Sequence, residues 1–409
     1  MWDAIWVDLS AATLAEPGGV GFVDAAAIAV EGEKIAWVGP ASALPAAPHQ
    51  LARTVHRCGG RLATPAFVDC HTHLIFGGDR ALDFALRAEG ASYAEIAAAG
   101  GGIRSTVAQT RGLSEEELVR AALPRARALL ADGIATIEVK SGYGLDVGTE
   151  LKMLRAAHRL GRELDVEEVP TLLALHALPP EFARDRAGWI STVIHELLPE
   201  VARKRLATAV DVFCENIAFT VAECGKVLQA ARDHGLAVKV HADQLSAFGA
   251  AELAAEYGAL SADHLEYTGD RGIAALAKSG SVAVLLPVAF VVIGETRKPP
   301  VEGLRAAGVP LAIATDCNPG TSPCTSLTLS MALARAEFGL TATEALRGAT
   351  IEAARALGLE DSRGTLEVGR RADFCLWNLR HPREFGYWLG YSGLEATVRG
   401  GRVRSAEAR

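Results

Sequence analysis

The sequence predicts an α/β chain: a (β/α)8 TIM-like barrel with a small β-sandwich domain built from both termini. Three observations carry this reading. Residues 63–358 repeat a short apolar strand followed by a helix rich in Ala, Leu, Glu and Arg. The first sixty and last fifty residues hold short β-prone runs instead, too few at either end to close a layer alone. Residues able to do chemistry fall just after the barrel strands, where a closed parallel barrel gathers its C-terminal strand ends at one mouth.

The N-terminal strands are read at residues 5–9 and 27–38, with a polar turn at Glu31-Gly32-Glu33-Lys34 inside the second. The barrel strands are read at 62–69, 134–139, 169–175, 209–213, 237–240, 260–263, 282–286 and 310–314. These runs are short and apolar, as expected of parallel strands buried on both faces. Helices are read at 115–130, 148–164, 191–205, 221–234 and 247–257, and the C-terminal strands at 371–378 and 397–403, the latter bent at Gly400-Gly401. The expected division is residues 1–62 plus 359–409 for the small domain and 63–358 for the barrel. A doubly wound open sheet is the alternative, but no G-x-G-x-x-G follows the first strand.

Composition narrows the function. The 409 residues are 50% hydrophobic and 22% charged, which is ample for a large core. A net charge of −8, spread without long like-charge blocks, lacks the basic footprint of a nucleic-acid or anionic-membrane binder. No apolar stretch approaches the roughly 20 residues of a membrane span, and Asp3 and Asp8 stand where a signal peptide carries Lys or Arg. Seven scattered cysteines without a C-x-x-C pair indicate reduced thiols in a cytoplasmic protein.

His71 and His73 follow the first barrel strand two residues apart, so their rings point to the same side and can share an ion. His241 follows the fifth strand and Asp316 the eighth. Three imidazoles and a carboxylate suit a borderline divalent metal, with water completing the shell. His264 follows the sixth strand, and either it or Asp316 could handle a proton there.

The His-x-His, His, His and Asp order resembles the amidohydrolase superfamily of metal-dependent hydrolase barrels. Longer segments resemble one branch of it: Gly77-Gly78-Asp79-Arg80, the run 90–102, residues 139–145 (VKSGYGL), 212–215 (VFCE), 241–246 (HADQLS), 261–266 (SADHLE) and 315–322 (TDCNPGTS). That resemblance implies hydrolysis of 4-imidazolone-5-propanoate to N-formimidoyl-L-glutamate, a step of histidine degradation. It implies one zinc or iron ion per subunit on His71, His73, His241 and Asp316. It also implies substrate contacts from Arg80, Tyr143, His176, Gln244, Asn318, Gly320 and Thr321.

Each substrate residue has a plainer explanation. Arg80 could pair with Asp79 or Asp83 at the surface, Tyr143 could pack on the rim, His176 could make a structural hydrogen bond, and Asn318–Thr321 could simply turn. Aminohydrolases of the superfamily commonly carry a Glu three residues after the fifth-strand His; Gln244 stands there and cannot shuttle a proton at neutral pH. Two-metal cyclic amidases want a bridging Lys after the fourth strand, which here leads to Cys214-Glu215-Asn216, and Lys140 is misplaced for bridging. A non-catalytic barrel serving assembly is the remote alternative. The expected partners are a small-molecule substrate and a second copy in a homodimer, with no nucleic acid and no membrane.

Overall fold

The computed structural model describes residues 1–90 and 101–405. Four strands open the chain: β1 (Trp2–Ala12), β2 (Phe22–Glu31), β3 (Lys34–Pro40) and β4 (Ala52–Pro65). Eight follow as β5 (Phe67–Asp69), β6 (Ile134–Lys140), β7 (Glu167–Leu175), β8 (Ala209–Cys214), β9 (Ala237–Ala242), β10 (Ser261–His264), β11 (Val282–Leu285) and β12 (Leu311–Ile313). The last three are β13 (Phe374–Trp377), β14 (Leu394–Arg399) and β15 (Arg402–Ser405).

The outer strands form one sheet in the order β15-β14-β13-β4-β1-β2-β3, so both ends of the chain contribute to it. The expected turn inside the second strand separates β2 from β3: Glu31 pairs with Lys34 across Gly32, which takes φ 59°. Strand alternation gives the sheet two apolar faces. Ala4 and Trp6 join Ile28 and Phe374 on one face, while Ile5 and Val7 join Ala27 and Ala29 on the other.

The inner strands run β5 to β12 in sequence order, all neighbours parallel. Helices between them include Glu115–Leu130, Val147–Leu164 and Val221–Asp233. Side chains of β6, β10 and β11 are buried throughout, and the charged ones among them, Glu138, Lys140 and Asp263, find their partners inside the barrel. The two edge strands are joined by the residues just past them: Asp316 N–H donates to His71 C=O (3.0 Å) and His73 N–H to Cys317 C=O (3.0 Å). Asp69 accepts from the Thr315 hydroxyl (2.6 Å) and amide (3.1 Å) across the same seam. This eight-stranded near-barrel with a sheet from both termini agrees with the expected fold class.

One predicted strand divides. The run 62–69 breaks at Ala66, so that Leu62 to Pro65 pair with β13 while Phe67 N–H turns to Gly133 C=O (2.9 Å) in the barrel. Trp377 fills the joint, its indole N–H on Thr64 Oγ1 (2.8 Å) and its ring 4.9 Å from Phe67. Among the described residues no helix is long and apolar enough to cross a membrane.

Candidate active site

Four donor atoms converge at the barrel seam. His73 Nε2 lies 3.4 Å from His241 Nε2 and 3.4 Å from Asp316 Oδ1, and His71 Nε2 lies 3.5 Å from the same oxygen. Donors held tetrahedrally at roughly 2.0–2.1 Å from one ion stand roughly 3.3–3.4 Å apart. These three contacts have the spacing of donors to one metal. The Nε2 of His71 is buried with no hydrogen-bond partner among the described residues, and burial, aided by neighbouring cationic and imidazole groups, holds His71 and His73 well below the usual imidazole range. Neutral rings with buried lone pairs facing one point are a donor set.

His264 completes the cluster. Its ring centroid is 5.4 Å from that of His241 and 5.7 Å from that of His71, and burial lowers its pKa to about 3. Two overlapping triads thus offer donors within 4.8 Å of one another: His71, His73 and Asp316, and His71, His241 and His264. The backbone is strained where these residues stand, with φ of 81° at His264 and 51° at Asp316, a conformation that non-glycine residues adopt at a cost and often at functional sites.

Beneath the donors lies a layer of charge that the sequence reading missed. His71 Nδ1 contacts Asp263 Oδ2 at 2.5 Å, and His241 Nδ1 lies 3.0 Å from Asp211 Oδ2. Lys140 Nζ sits 2.6 Å from Asp211 Oδ2 and 2.9 Å from Glu138 Oε2, while Lys239 Nζ donates to Cys70 C=O (2.9 Å). All five charged side chains are fully buried. Burial alone would raise Asp211, but His241 and Lys140 beside it hold it well below the usual carboxylate range. The signal was legible: charges at inward positions of β6 (Glu138 and Lys140), β8 (Asp211), β9 (Lys239) and β10 (Asp263), in strands buried on both faces.

A cavity of about 730 Å³ opens above the cluster. His73, His241, His264 and Asp316 form its floor, and Arg80, Tyr143, His176, Gln244, Asn318, Gly320 and Thr321 line its walls. His71 lies behind, wholly buried. Apolar Ile103, Leu178, Phe213 and Ile293 complete the walls. The structure thus brings every sequence-selected site residue to one place. Much of the run 90–102 lies outside the described residues.

The walls are built by buried polar contacts. Glu150 accepts from the amides of Gly142 (3.0 Å), Gly144 (2.8 Å) and Leu145 (2.7 Å), fixing the loop that carries Tyr143. Gly142 takes φ 104° there, and its carbonyl lies 3.0 Å from His176 Nδ1. A proton on Nδ1 leaves His176 Nε2 as the acceptor, and the ring stacks on His73 at 5.1 Å. Glu215 receives the amides of Leu245 (2.9 Å) and Ser246 (3.2 Å), anchoring the loop of Gln244.

Arg80 Nε donates to Thr106 Oγ1 (2.9 Å). Asp79 accepts from the Ala81 amide and Asp83 from the Gly102 amide, and Arg80 has no ion pair with either among the described residues. The Asn318 amide is engaged by its own turn: Oδ1 accepts from Gly320 N–H (2.8 Å) and Thr321 N–H (2.7 Å), and Nδ2 donates to Asp316 C=O (2.8 Å). Elsewhere, His56 stacks on Trp6 and His158 contacts Glu168, both away from the mouth.

The barrel, its mouth and its donor set define a class that sequence comparison also recovers: the amidohydrolase family model matches residues 62–404, and the chain belongs to that family. A bacterial imidazolonepropionase-like composite domain matches residues 26–47. The imidazolonepropionase of Paracoccus denitrificans is 53% identical over 389 residues, covering 95% of this chain and 96% of its own. That of Rhizorhabdus wittichii is 52% identical over 396 residues, covering 97% and 98%. Among solved structures, Escherichia coli guanine deaminase superposes with a TM-score of 0.75 at 15% identity, covering 98% of each chain. Atrazine chlorohydrolase from Arthrobacter aurescens complexed with zinc gives 0.74 at 18%, covering 99% of this chain and 97% of its own. The last two share the fold.

Proposed function

We propose that this chain hydrolyses the ring amide of 4-imidazolone-5-propanoate to N-formimidoyl-L-glutamate. One observation carries the reading: an arginine without a carboxylate partner among the described residues lines the same cavity whose floor is the His–Asp donor cluster. A small ring with an anionic tail matches both ends, and the full-length relatives are imidazolonepropionases.

His71, His73, His241 and Asp316 would hold one zinc or iron ion per subunit. When bound, such an ion lowers the pKa of its water towards roughly 7 and polarises a carbonyl. The protein supplies the rest. Asp316, at the floor, takes a proton from the attacking water and delivers it to the ring nitrogen as the C–N bond breaks. The carbonyl carbon leaves as the new carboxylate and the freed nitrogen as the formimidoyl end. His264, neutral and buried beside it, orients the attacking oxygen and steadies the oxyanion. His176 Nε2 accepts a ring N–H, and Tyr143 and Gln244 offer donors from the walls. Arg80 holds the propionate through its planar fork. Asn318 shapes the turn that presents Gly320 and Thr321. Seven buried free cysteines suit the reducing cytoplasm, and a homodimer is the expected assembly.

The test is incubation of the purified, metal-loaded protein with 4-imidazolone-5-propanoate, with the product identified by mass. Addition of one water to give N-formimidoyl-L-glutamate supports the reading. Recovery of unchanged substrate from fully loaded protein, or hydrolysis with release of ammonia, overturns it.

A further inference from the structure

We infer that Lys140 is a positioning residue for the metal-facing imidazoles, acting on two of them at once through Asp211 and Asp263. The inference rests on the reading that the donor cluster binds a metal.

The geometry converges on two carboxylate oxygens. Asp211 Oδ2 lies 2.6 Å from Lys140 Nζ and 3.0 Å from His241 Nδ1. Asp263 Oδ2 lies 4.0 Å from Lys140 Nζ and 2.5 Å from His71 Nδ1. The Asp211 oxygen is thus shared between the ammonium and the ring nitrogen turned away from the ion, while the Asp263 oxygen lies within electrostatic reach of the same ammonium. Lys239 reaches Asp263 at 3.9 Å, but Lys140 alone among the described cations lies within ion-pairing distance of both carboxylates.

That arrangement has a definite consequence. At His71 the Asp263 carboxylate accepts the Nδ1 proton, so the lone pair stays on Nε2, towards the ion, and the negative Asp211 oxygen 3.0 Å from His241 Nδ1 favours a proton on that nitrogen in the same way. Asp211 is also fixed at its other oxygen by the His241 amide (3.2 Å), so its position and that of the ring are set together. Remove the ammonium, and Asp211, Asp263 and Glu138 share a dry interior with Lys239 as the one remaining lysine beside them among the described residues. Their repulsion acts along the two contacts that aim His241 and His71. Lys140 itself has no free orbital for an ion, since its three donors already face Asp211 and Glu138 and it stays protonated beside them.

The experiment measures zinc affinity by chelator competition, and the visible absorption of the cobalt-substituted protein, for wild type and three variants. Lys140→Met keeps an unbranched stem one atom shorter and removes the charge. Asp211→Asn removes the link to His241 and leaves Lys140 in place. Glu138→Gln breaks a comparable buried pair with Lys140 but touches neither imidazole, so it controls for general loss of buried pairing. Lys140→Met and Asp211→Asn are each expected to lose roughly tenfold to hundredfold in zinc affinity and to alter the cobalt spectrum, while Glu138→Gln changes affinity less than threefold.

Equal losses in Lys140→Met and Glu138→Gln, or wild-type affinity in Lys140→Met, would overturn the inference. If Lys140→Met does not fold, Asp211→Asn against Glu138→Gln decides by the same criterion. Wild-type protein that binds no ion overturns the metal reading itself, an outcome distinct from tight binding by wild type and Lys140→Met alike.

Discussion

The Nε2 atoms of His73 and His241 face each other across 3.4 Å, although the residues stand on β-strand ends far apart in sequence. Two imidazole nitrogens at that distance can hold at most one proton between them. A cation between them resolves the arrangement. Protein purified without added metal should contain close to one zinc or iron per chain by elemental analysis. His241→Ala should lose the ion at chelator concentrations that wild type withstands. A reproducible content near two, with activity following the second ion, would refute the single-ion arrangement.

Asp316 and His264 should separate by metal content. Asp316→Asn removes a ligand and a proton carrier together, so turnover and bound metal should fall together. His264→Ala should keep most of its metal while turnover drops by roughly 10²–10³, the cost of losing one stabilising donor. Near wild-type turnover in metal-loaded His264→Ala would remove it from the chemistry.

An acid-sensitive contact lies outside the site. Arg186 donates to both oxygens of Glu223, at 2.9 and 2.8 Å, and chiefly this pairing lowers Glu223 from its ordinary 4.5 to about 2. Because the folded value is depressed, the stabilisation is present above about 4.5 and is lost as pH falls towards about 2. Arg186 is partly exposed, so solvent screening limits the contribution to about 1 kcal/mol. Glu223 also closes a capping box with Thr220, which Gln can replace. Glu223→Gln should therefore lower Tm at pH 7, with the gap to wild type narrowing between pH 4.5 and 3. An undiminished gap at pH 3 would show that the loss is not electrostatic.

The barrel strands and their polar ends were legible because parallel strands buried on both faces read as short apolar runs, and chemistry at their ends interrupts them. Residues 115–130 and 134–140 emerge with nearly the expected bounds for that reason. β4 was not, because Arg53, Thr54 and Arg57 face solvent and the run lacks apolar character; its pairing with β1 is set by chain crossing, not by local pattern. The division at Ala66 was hidden for the opposite reason: both halves of the run are apolar, and only the three-dimensional joint at Trp377 separates them. Asp211 escaped because it looks like an isolated charge, and Lys140, read only as misplaced for bridging, because its partner Asp211 stands on another strand. The competing turn explanation for Asn318 describes its side chain well, since its amide is spent within the loop.

Arg80 and Gly320 should act as one unit in recognising the propionate. A Cβ on residue 320 would stand 2.5 Å from Arg80 Nη1, too close to coexist with the guanidinium where it lies. Because the obstacle is the far end of a flexible side chain, Gly320→Ala should displace the fork with little effect on Tm. Arg80→Gln should mainly raise KM, since a carboxylate contact remote from the reacting bond serves ground and transition states alike. The loss of a charge-assisted hydrogen bond is about 1.5–3 kcal/mol, or roughly tenfold to a hundredfold in kcat/KM. Arg80→Lys should recover only part of it, because an ammonium lacks the fork. Gly320→Ala should reproduce the KM effect in Arg80 protein and add little in the Arg80→Gln background, the signature of residues acting through one contact. A substrate analogue without the carboxylate supplies the control: wild type, Arg80→Gln and Gly320→Ala should turn it over at similar rates. If both variants are as impaired on that analogue as on the acid, the pair supports the metal floor or the loop, and the carboxylate assignment is wrong.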